Sequence, residues 1–262
     1  MCYRSRLPRL EMHTIPPSYV ERPIMKTPVT ALCLPLLVVA SAALPALASA
    51  EPAGAIRGVV ELSGDAPERE PLEMKTDPIC AQGDRQLSEA IVAEDGKLRD
   101  VHVRIRAGAV PGSHSAPSEP VVIDQKDCMY RPRVVGVMAG QKLAIGNSDR
   151  TLHNVHGYAG GRSRFNLGQP PMGPAIERDA PRAGEVLELR CDIHPWMRAY
   201  AVVSDHPYFD VTGKAGEFSI EDVPPGRYTL EAWHPELGLK RAQIRVTAGE
   251  TARQRFEFRA GD

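Results

Sequence analysis

Aromatic residues make up only 5% of this 262-residue chain. A basic excess is missing too: 32 Lys and Arg stand against 33 Asp and Glu, for a formal net charge of -1. That balance argues against a nucleic-acid binder, which needs surplus cations to neutralise phosphates. No long stretch carries helical periodicity, and beyond residue 50 no segment is apolar enough to span a bilayer. What the chain has instead is turn chemistry, with 24 Pro and 22 Gly. At 42% hydrophobic and 25% charged it reads as globular, and its length allows at most two ordinary domains. Together these features point to a turn-rich all-β protein.

Cysteine is sparse, and position decides what each of the five can do. Residues 27–50 (TPVTALCLPLLVVASAALPALASA) follow Met25 and Lys26. A positive start, an apolar run from Ala31 to Ala40 and the small residues Ala48, Ser49 and Ala50 make the pattern of a secretory signal cleaved after Ala50. A membrane anchor is the competing reading, weakened by Pro35 and Pro45, which interrupt the run. Residues 1–24, with Arg4, Arg6, Arg9 and Arg22, read as a mis-assigned extension ahead of a true start at Met25. The expected mature chain is 51–262, exported to the periplasm, where the compartment is oxidising and no membrane span remains. Cys2 and Cys33 then drop out. Cys80, Cys128 and Cys191 are left, an odd number, so a pair would leave one thiol with another job.

Short β-branched or alternating runs recur along the mature chain. GAIRGVVE at 54–61 ends in a Ser63-Gly64-Asp65 turn, and 65–88 reads as a long polar loop. Residues 90–105 read as a hairpin whose second strand runs from Leu98 to Ile105, with Val101, Val103 and Ile105 inward and His102 and Arg104 solvated. Further strands are expected at 121–123, 133–138, 142–145, 186–189 and 199–203, with 157–182 loop-rich.

The chemistry concentrates in Cys191-Asp192-Ile193-His194-Pro195-Trp196-Met197. A thiolate, an imidazole and a thioether lie within one inter-strand loop, and soft sulfur with imidazole is a donor set that suits copper. A second imidazole is available upstream, in the stretch from Asn147 to His156 that contains His153-Asn154-Val155-His156. Zinc competes for Cys and His, but a structural zinc site wants four strong donors and thioether is a poor fourth. The bland alternative is a buried inert thiol, a surface histidine and a core methionine brought together by chance.

The pairing of N-x5-HNVH with C-x2-HP-x-M resembles the type 1 blue copper site of the cupredoxins, and among them the amicyanin and plastocyanin branch, over residues 120–204. The resemblance implies one type 1 copper held by His153, Cys191 and His194, with Met197 as a weak axial ligand. It also implies that Asn147 ties the two ligand loops together near the thiolate. Leu152 departs from the proline expected before the first histidine. With Cys191 a ligand, Cys80 and Cys128 become the disulfide candidates, the alternative being two free buried thiols. His156, three residues along a strand from His153, falls on the opposite face and reads as a supporting or surface residue. His194, beside Pro195 and Trp196, would be the edge that meets a partner.

The segment TGKAGEFSIEDVPPGRYTLEAW at 212–233 resembles the carboxypeptidase regulatory-like, or transthyretin-like, β-sandwich, and brings no nucleophile or acid pair with it. Residues 206–262 are short for such a sandwich, so 54–106 is expected to complete it, with the cupredoxin domain at 120–204 inserted between. The function implied is non-enzymatic. It is single-electron transfer with a redox protein such as a cytochrome c or a dehydrogenase, with copper storage or delivery, or a metal-free envelope binding module, as the alternatives.

Overall fold

A computed structural model describes residues 51–260; the expected signal peptide at 25–50 and the extension at 1–24 lie outside the described residues. The protein is all-β, and among the described residues the only helical piece is a 3-10 turn at Cys80–Gln82. Among the described residues no helix is long and apolar enough to cross a membrane.

The chain opens with β1 (Gly54–Ser63), β2 (Ala93–Glu94), β3 (Lys97–Leu98) and β4 (His102–Ile105). It continues through β5 (Val121–Lys126), β6 (Met129–Arg131), β7 (Val134–Met138), β8 (Lys142–Asn147) and β9 (His153–Ala159). Next come β10 (Arg162–Gln169), β11 (Ile176–Asp179), β12 (Val186–Arg190) and β13 (Arg198–Ser204). It closes with β14 (Phe209–Val211), β15 (Glu217–Val223), β16 (Gly226–His234), β17 (Gly238–Val246) and β18 (Thr251–Arg259).

These strands form four sheets. Two draw only on the ends of the described chain: β15-β1-β3-β2, with β18 also paired to β1, and β14-β4-β16-β17. Val59 pairs with Glu217 and Arg255, and Val103 with Asp210 and Ala232, so residues 54–105 and 209–259 share sheets. Ile56, Val60, Ile105, Phe218, Leu230 and Phe258 fill the space between these two sheets. The other two sheets use the middle of the chain: β10-β9-β12-β13-β7 and β11-β8-β5-β6. Their shared core holds Ile123, Leu143, Ile145, Val155, Leu187 and Leu189, and it continues without a break into Cys191 and Met197.

Three local expectations need correction. Residues 98–105 are not one strand. The chain leaves the first sheet after Leu98, passes Asp100 at φ 63°, and enters a different sheet at His102. The segment 157–182 is not mainly loop: Gly160 and Gly161 adopt positive φ and turn a hairpin from β9 into β10. Most of β10 is exposed or half-buried, so it carries no apolar alternation to announce it. His102 is not solvated but fully buried, because the outer face of its sheet packs against the middle sheets.

That packed joint is specific. Val134, Tyr200 and Val202 form a small buried cluster with Val211 and Trp233 against it. A Cβ at Gly136 would sit 2.3 Å from the Phe209 ring and 2.9 Å from His102 Nε2, so only glycine lets β7 approach this closely. Arg133 bridges to Glu236 at 3.0 Å, and Arg104 donates to the Val203 carbonyl at 2.9 Å.

Candidate metal centre

β12 and β13 pair as far as Arg190 and Arg198, so residues 191–197 form a closed loop between neighbouring strands. The loop folds back on itself: Met197 N–H donates to the His194 carbonyl at 2.9 Å and Cys191 N–H to the Met197 carbonyl at 3.3 Å. β9 lies on the other side of β12 and begins at His153. Pairing thus places an imidazole from β9 beside a loop already carrying a thiol and a second imidazole.

Three donors converge there. His153 Nδ1 and His194 Nδ1 are 2.9 Å apart. Cys191 Sγ lies 3.6 Å from His194 Nδ1 and 4.0 Å from His153 Nδ1. All three residues are buried, with exposures of 0% for His153, 2% for Cys191 and 1% for His194. Bonds of about 2.0 Å to nitrogen and 2.3 Å to sulfur around a central cation would set such donors roughly 3.5–4 Å apart. The trio fits that requirement, slightly contracted between the two nitrogens. Met197 is fully buried in the same cluster as Cys191.

Each imidazole is held from behind. His153 Nε2 meets Asp149 Oδ2 at 2.9 Å, and the same carboxylate oxygen accepts the Cys128 backbone N–H at 2.9 Å. His194 Nε2 meets Asp77 Oδ2 at 3.1 Å. Asp77 also accepts from Thr151 Oγ1 at 2.7 Å and from the backbone N–H groups of Ile79 and Cys80. A carboxylate behind each ring fixes its tautomer so that Nδ1 points inward, which is how proteins commonly orient metal-binding histidines.

Electrostatics agree with a site built for a cation. Burial alone would lower the basicity of His153, but the hydrogen bonds from Asp149 and Cys191 outweigh it and raise the ring to about 9. Burial pushes the Cys191 thiol up, yet the His153 contact and the backbone N–H groups around it bring it below its ordinary value. Burial, and then the charge of His153, lower His194. Burial works against the Asp77 carboxylate, but its four hydrogen-bond partners bring it down to about 2. These shifts favour the thiolate beside a protonated imidazole, a proton whose place a cation can take.

The loop-tying role expected of Asn147 falls to Asn154 instead. Asn147 Nδ2 donates to the carbonyls of Thr151, Gln169 and Pro170, so it shapes the turn leading to β9 without reaching the cysteine loop. Asn154 does the tying: its Oδ1 accepts from Asp192 N–H at 2.7 Å and Ile193 N–H at 3.3 Å, and lies 3.4 Å from Cys191 Sγ. Its position directly after a candidate ligand was the available signal. His156 sits on the other face of β9 from His153, bonded to Asp192 at 2.9 Å and to Ser163 at 2.9 Å.

Cys80 and Cys128 are joined by a disulfide, and Cys191 is the free cysteine among the described residues. The disulfide has a consequence for His194, which is not an exposed edge. The Asp77–Cys80 segment covers it, with Cys80 Sγ 3.8 Å from His194 Nε2. Trp196 is half-buried and donates from Nε1 to the Cys128 carbonyl at 3.0 Å. The exposed apolar side chains beside the site are Leu152 and Ile193, at 49% and 46%.

Comparison with known proteins gives partial matches. The family described as polysaccharide lyase family 4, domain II, matches residues 198–254, from the start of β13 into β18. No curated protein matches the chain. Among solved structures, similarity is found to a purple cupredoxin from Nitrosopumilus maritimus at 22% identity, covering 32% of this chain and 99% of that one, with a TM-score of 0.29. Amicyanin from Paracoccus versutus matches at 19% identity over 39% of this chain and 97% of its own, with a TM-score of 0.30. A copper-containing nitrite reductase from Thermus scotoductus matches at 16% identity over 56% of this chain and 28% of its own, with a TM-score of 0.29. The structural neighbours of this chain are thus cupredoxins and a copper enzyme, each similar over part of its length.

Proposed function

We propose that the chain is an exported type 1 copper protein that carries single electrons between periplasmic redox partners, such as a cytochrome c or a dehydrogenase, and is not an enzyme. The observation that carries this reading is the convergence of His153 Nδ1, His194 Nδ1 and Cys191 Sγ within 4.0 Å of one another, out of reach of water. A copper ion held there would supply a Cu(I)/Cu(II) couple that gains or loses one electron. Asp149 and Asp77 hold the two imidazoles, Asn154 holds the cysteine loop, and the apolar core around Leu189, Met197 and Ala199 keeps substrate-sized molecules away. In this reading residues 120–204 are the cupredoxin domain, inserted in a regulatory-like sandwich made from 54–106 and 206–262 that serves as scaffold.

A second reading, a periplasmic store or carrier of copper, is favoured by one observation. His194 is buried under Asp77 and Cys80, where an electron carrier would present it to a partner. One experiment tests both. Cu(II) is added to the purified chain, the visible spectrum is recorded, and the bound metal is cycled with ascorbate and ferricyanide. An intense thiolate-to-copper band that bleaches and returns supports electron transfer. A band that appears but cycles slowly favours the store, and a colourless chain overturns both.

A further inference from the structure

Three sets of donors run together through the two histidines. Behind the inner trio of His153, Cys191 and His194 lie Asp77, Cys80 and His194 on one side and Cys128, Asp149 and His153 on the other, each set with its donor atoms within 4.8 Å of one another. The Nε2 atoms, which face away from Cys191, lie at these outer sets: His194 Nε2 beside Asp77 and Cys80, and His153 Nε2 beside Asp149. Both outer sulfurs belong to a single disulfide.

The arrangement also bears on access. The inner donors are sealed, and what closes them on the His194 side is the Asp77–Cys80 segment. That segment is anchored by the Thr151–Asp77 hydrogen bond at 2.7 Å and by the bond from Cys80 to Cys128. On its outer side lies a pocket of about 370 Å³, lined by Cys80, Cys128, Asp127, Asp149 and Arg150 among others. The disulfide and Asp149, which backs His153 Nε2, line that pocket, and Cys191 does not.

We propose that the Cys80–Cys128 pair, once reduced, is an outer Cu(I) site through which copper reaches His153, Cys191 and His194. The proposal rests on the copper reading above and adds how that site is filled. Reduction breaks the S–S bond and consumes two electrons and two protons, supplied by a dithiol protein that leaves as its own disulfide. The two thiols then release their protons as they bind the soft cation, a donor pair that suits Cu(I). Breaking the bond also frees Cys80 from its anchor, so the segment carrying Asp77 can lift from His194. While the disulfide is intact, the site is closed. A purely structural staple would stabilise the fold and leave metal entry unchanged.

The test uses the full chain in three forms: oxidised, reduced and freed of reductant without air, and Cys80→Ser/Cys128→Ser. Cu(I) is titrated against a coloured chelator. One Cu(I) is expected in the oxidised and doubly substituted chains and two in the reduced chain. The inner site should fill about ten-fold faster or more on reduction, because a local opening no longer limits entry. Equal stoichiometry and equal loading rates in the oxidised and reduced chains overturn the proposal and leave the copper reading intact. Loss of the β-sheet circular dichroism on reduction also overturns it, since the disulfide is then a staple. A metal-free arm follows carbethoxylation of His194, with the fully buried His234 as internal control. His194 should react faster on reduction while His234 does not, and an unchanged His194 overturns the proposal. If no form binds copper, both the copper reading and the proposal fail.

Discussion

His153 and His194 are buried as deeply as His102 and His234, yet the two pairs differ in what stands behind the ring. Exposures are 0% and 1% for the first pair and 0% for both members of the second. Behind each ring of the first pair stands a carboxylate, Asp149 or Asp77. His234 uses Nδ1 to accept from the backbone N–H groups of Glu236 and Leu237, while its Nε2 has no hydrogen-bond partner. Neither nitrogen of His102 has one, and its ring stacks on Phe209. Burial lowers His102 and His234 to about 3, helped by the cations Arg104 near the first and Arg133 near the second. In His153 the same burial is overcome, and the ring rises to about 9. Depth alone therefore does not set a histidine's chemistry. The second nitrogen's partner matters as well, because an anion behind the ring favours its positive charge, and that contribution outweighs burial in His153.

The sharpest way to break this comparison is to remove the sulfur. Cys191→Ser should abolish the intense visible band of the copper-loaded chain, whereas His234→Gln should leave it unchanged. Survival of the band in the serine variant would remove Cys191 from the ligand set and collapse the distinction between the two pairs.

The next largest effect is on stability against pH, where His153 should act with the opposite sign to His102 and His234. An unfolded histidine titrates near 6.5, so a ring held at about 3 in the fold stabilises it fully above that value. This stability is lost as pH falls through 6.5 towards 3, at about 1.4 kcal/mol per unit for each ring. His153, raised to about 9, does the reverse: its stabilisation is complete below 6.5 and disappears as pH rises through 9. Urea unfolding of the metal-free chain between pH 5 and 7 checks the first part. His102→Gln should flatten the acid slope by about 1.4 kcal/mol per unit, and an unaltered slope would mean that His102 is not held neutral. Gly136→Ala gives a smaller change at the same joint, about 1–3 kcal/mol from overpacking against Phe209, with the metal band untouched.

The residues that separate the pairs differ in how far sequence alone reveals them. His153, Cys191, His194 and Met197 are legible because they sit in two short stretches with a spacing that a closed inter-strand loop and its neighbouring strand reproduce. Asp149 is half legible, four positions before His153 in the turn. Asp77 is not. It lies in a polar loop more than a hundred residues from His194, and only the chain path through Cys80 and Cys128 brings it there. The burial of His102 escapes for a similar reason. Alternation along β4 marks one buried face, and the other is covered only by the packing of β7 at Gly136. Strand identity followed local pattern, whereas what covers a strand or a loop depended on contacts between distant segments.

The finest prediction concerns Met197, the one proposed ligand whose role rests on a weak bond. Its side chain is fully buried beside Cys191, so Met197→Leu exchanges a thioether for an apolar group of similar volume and should cost less than about 1.5 kcal/mol in stability. Copper should still bind, because the three strong donors are untouched. Loss of the sulfur lone pair weakens donation to the more charged oxidised ion more than to the reduced one. The reduced state is then relatively favoured and the reduction potential rises. Voltammetry of the loaded variant reads this directly. A potential equal to that of the parent chain would make Met197 part of the apolar wall, and the site would be a three-coordinate centre held by His153, Cys191 and His194.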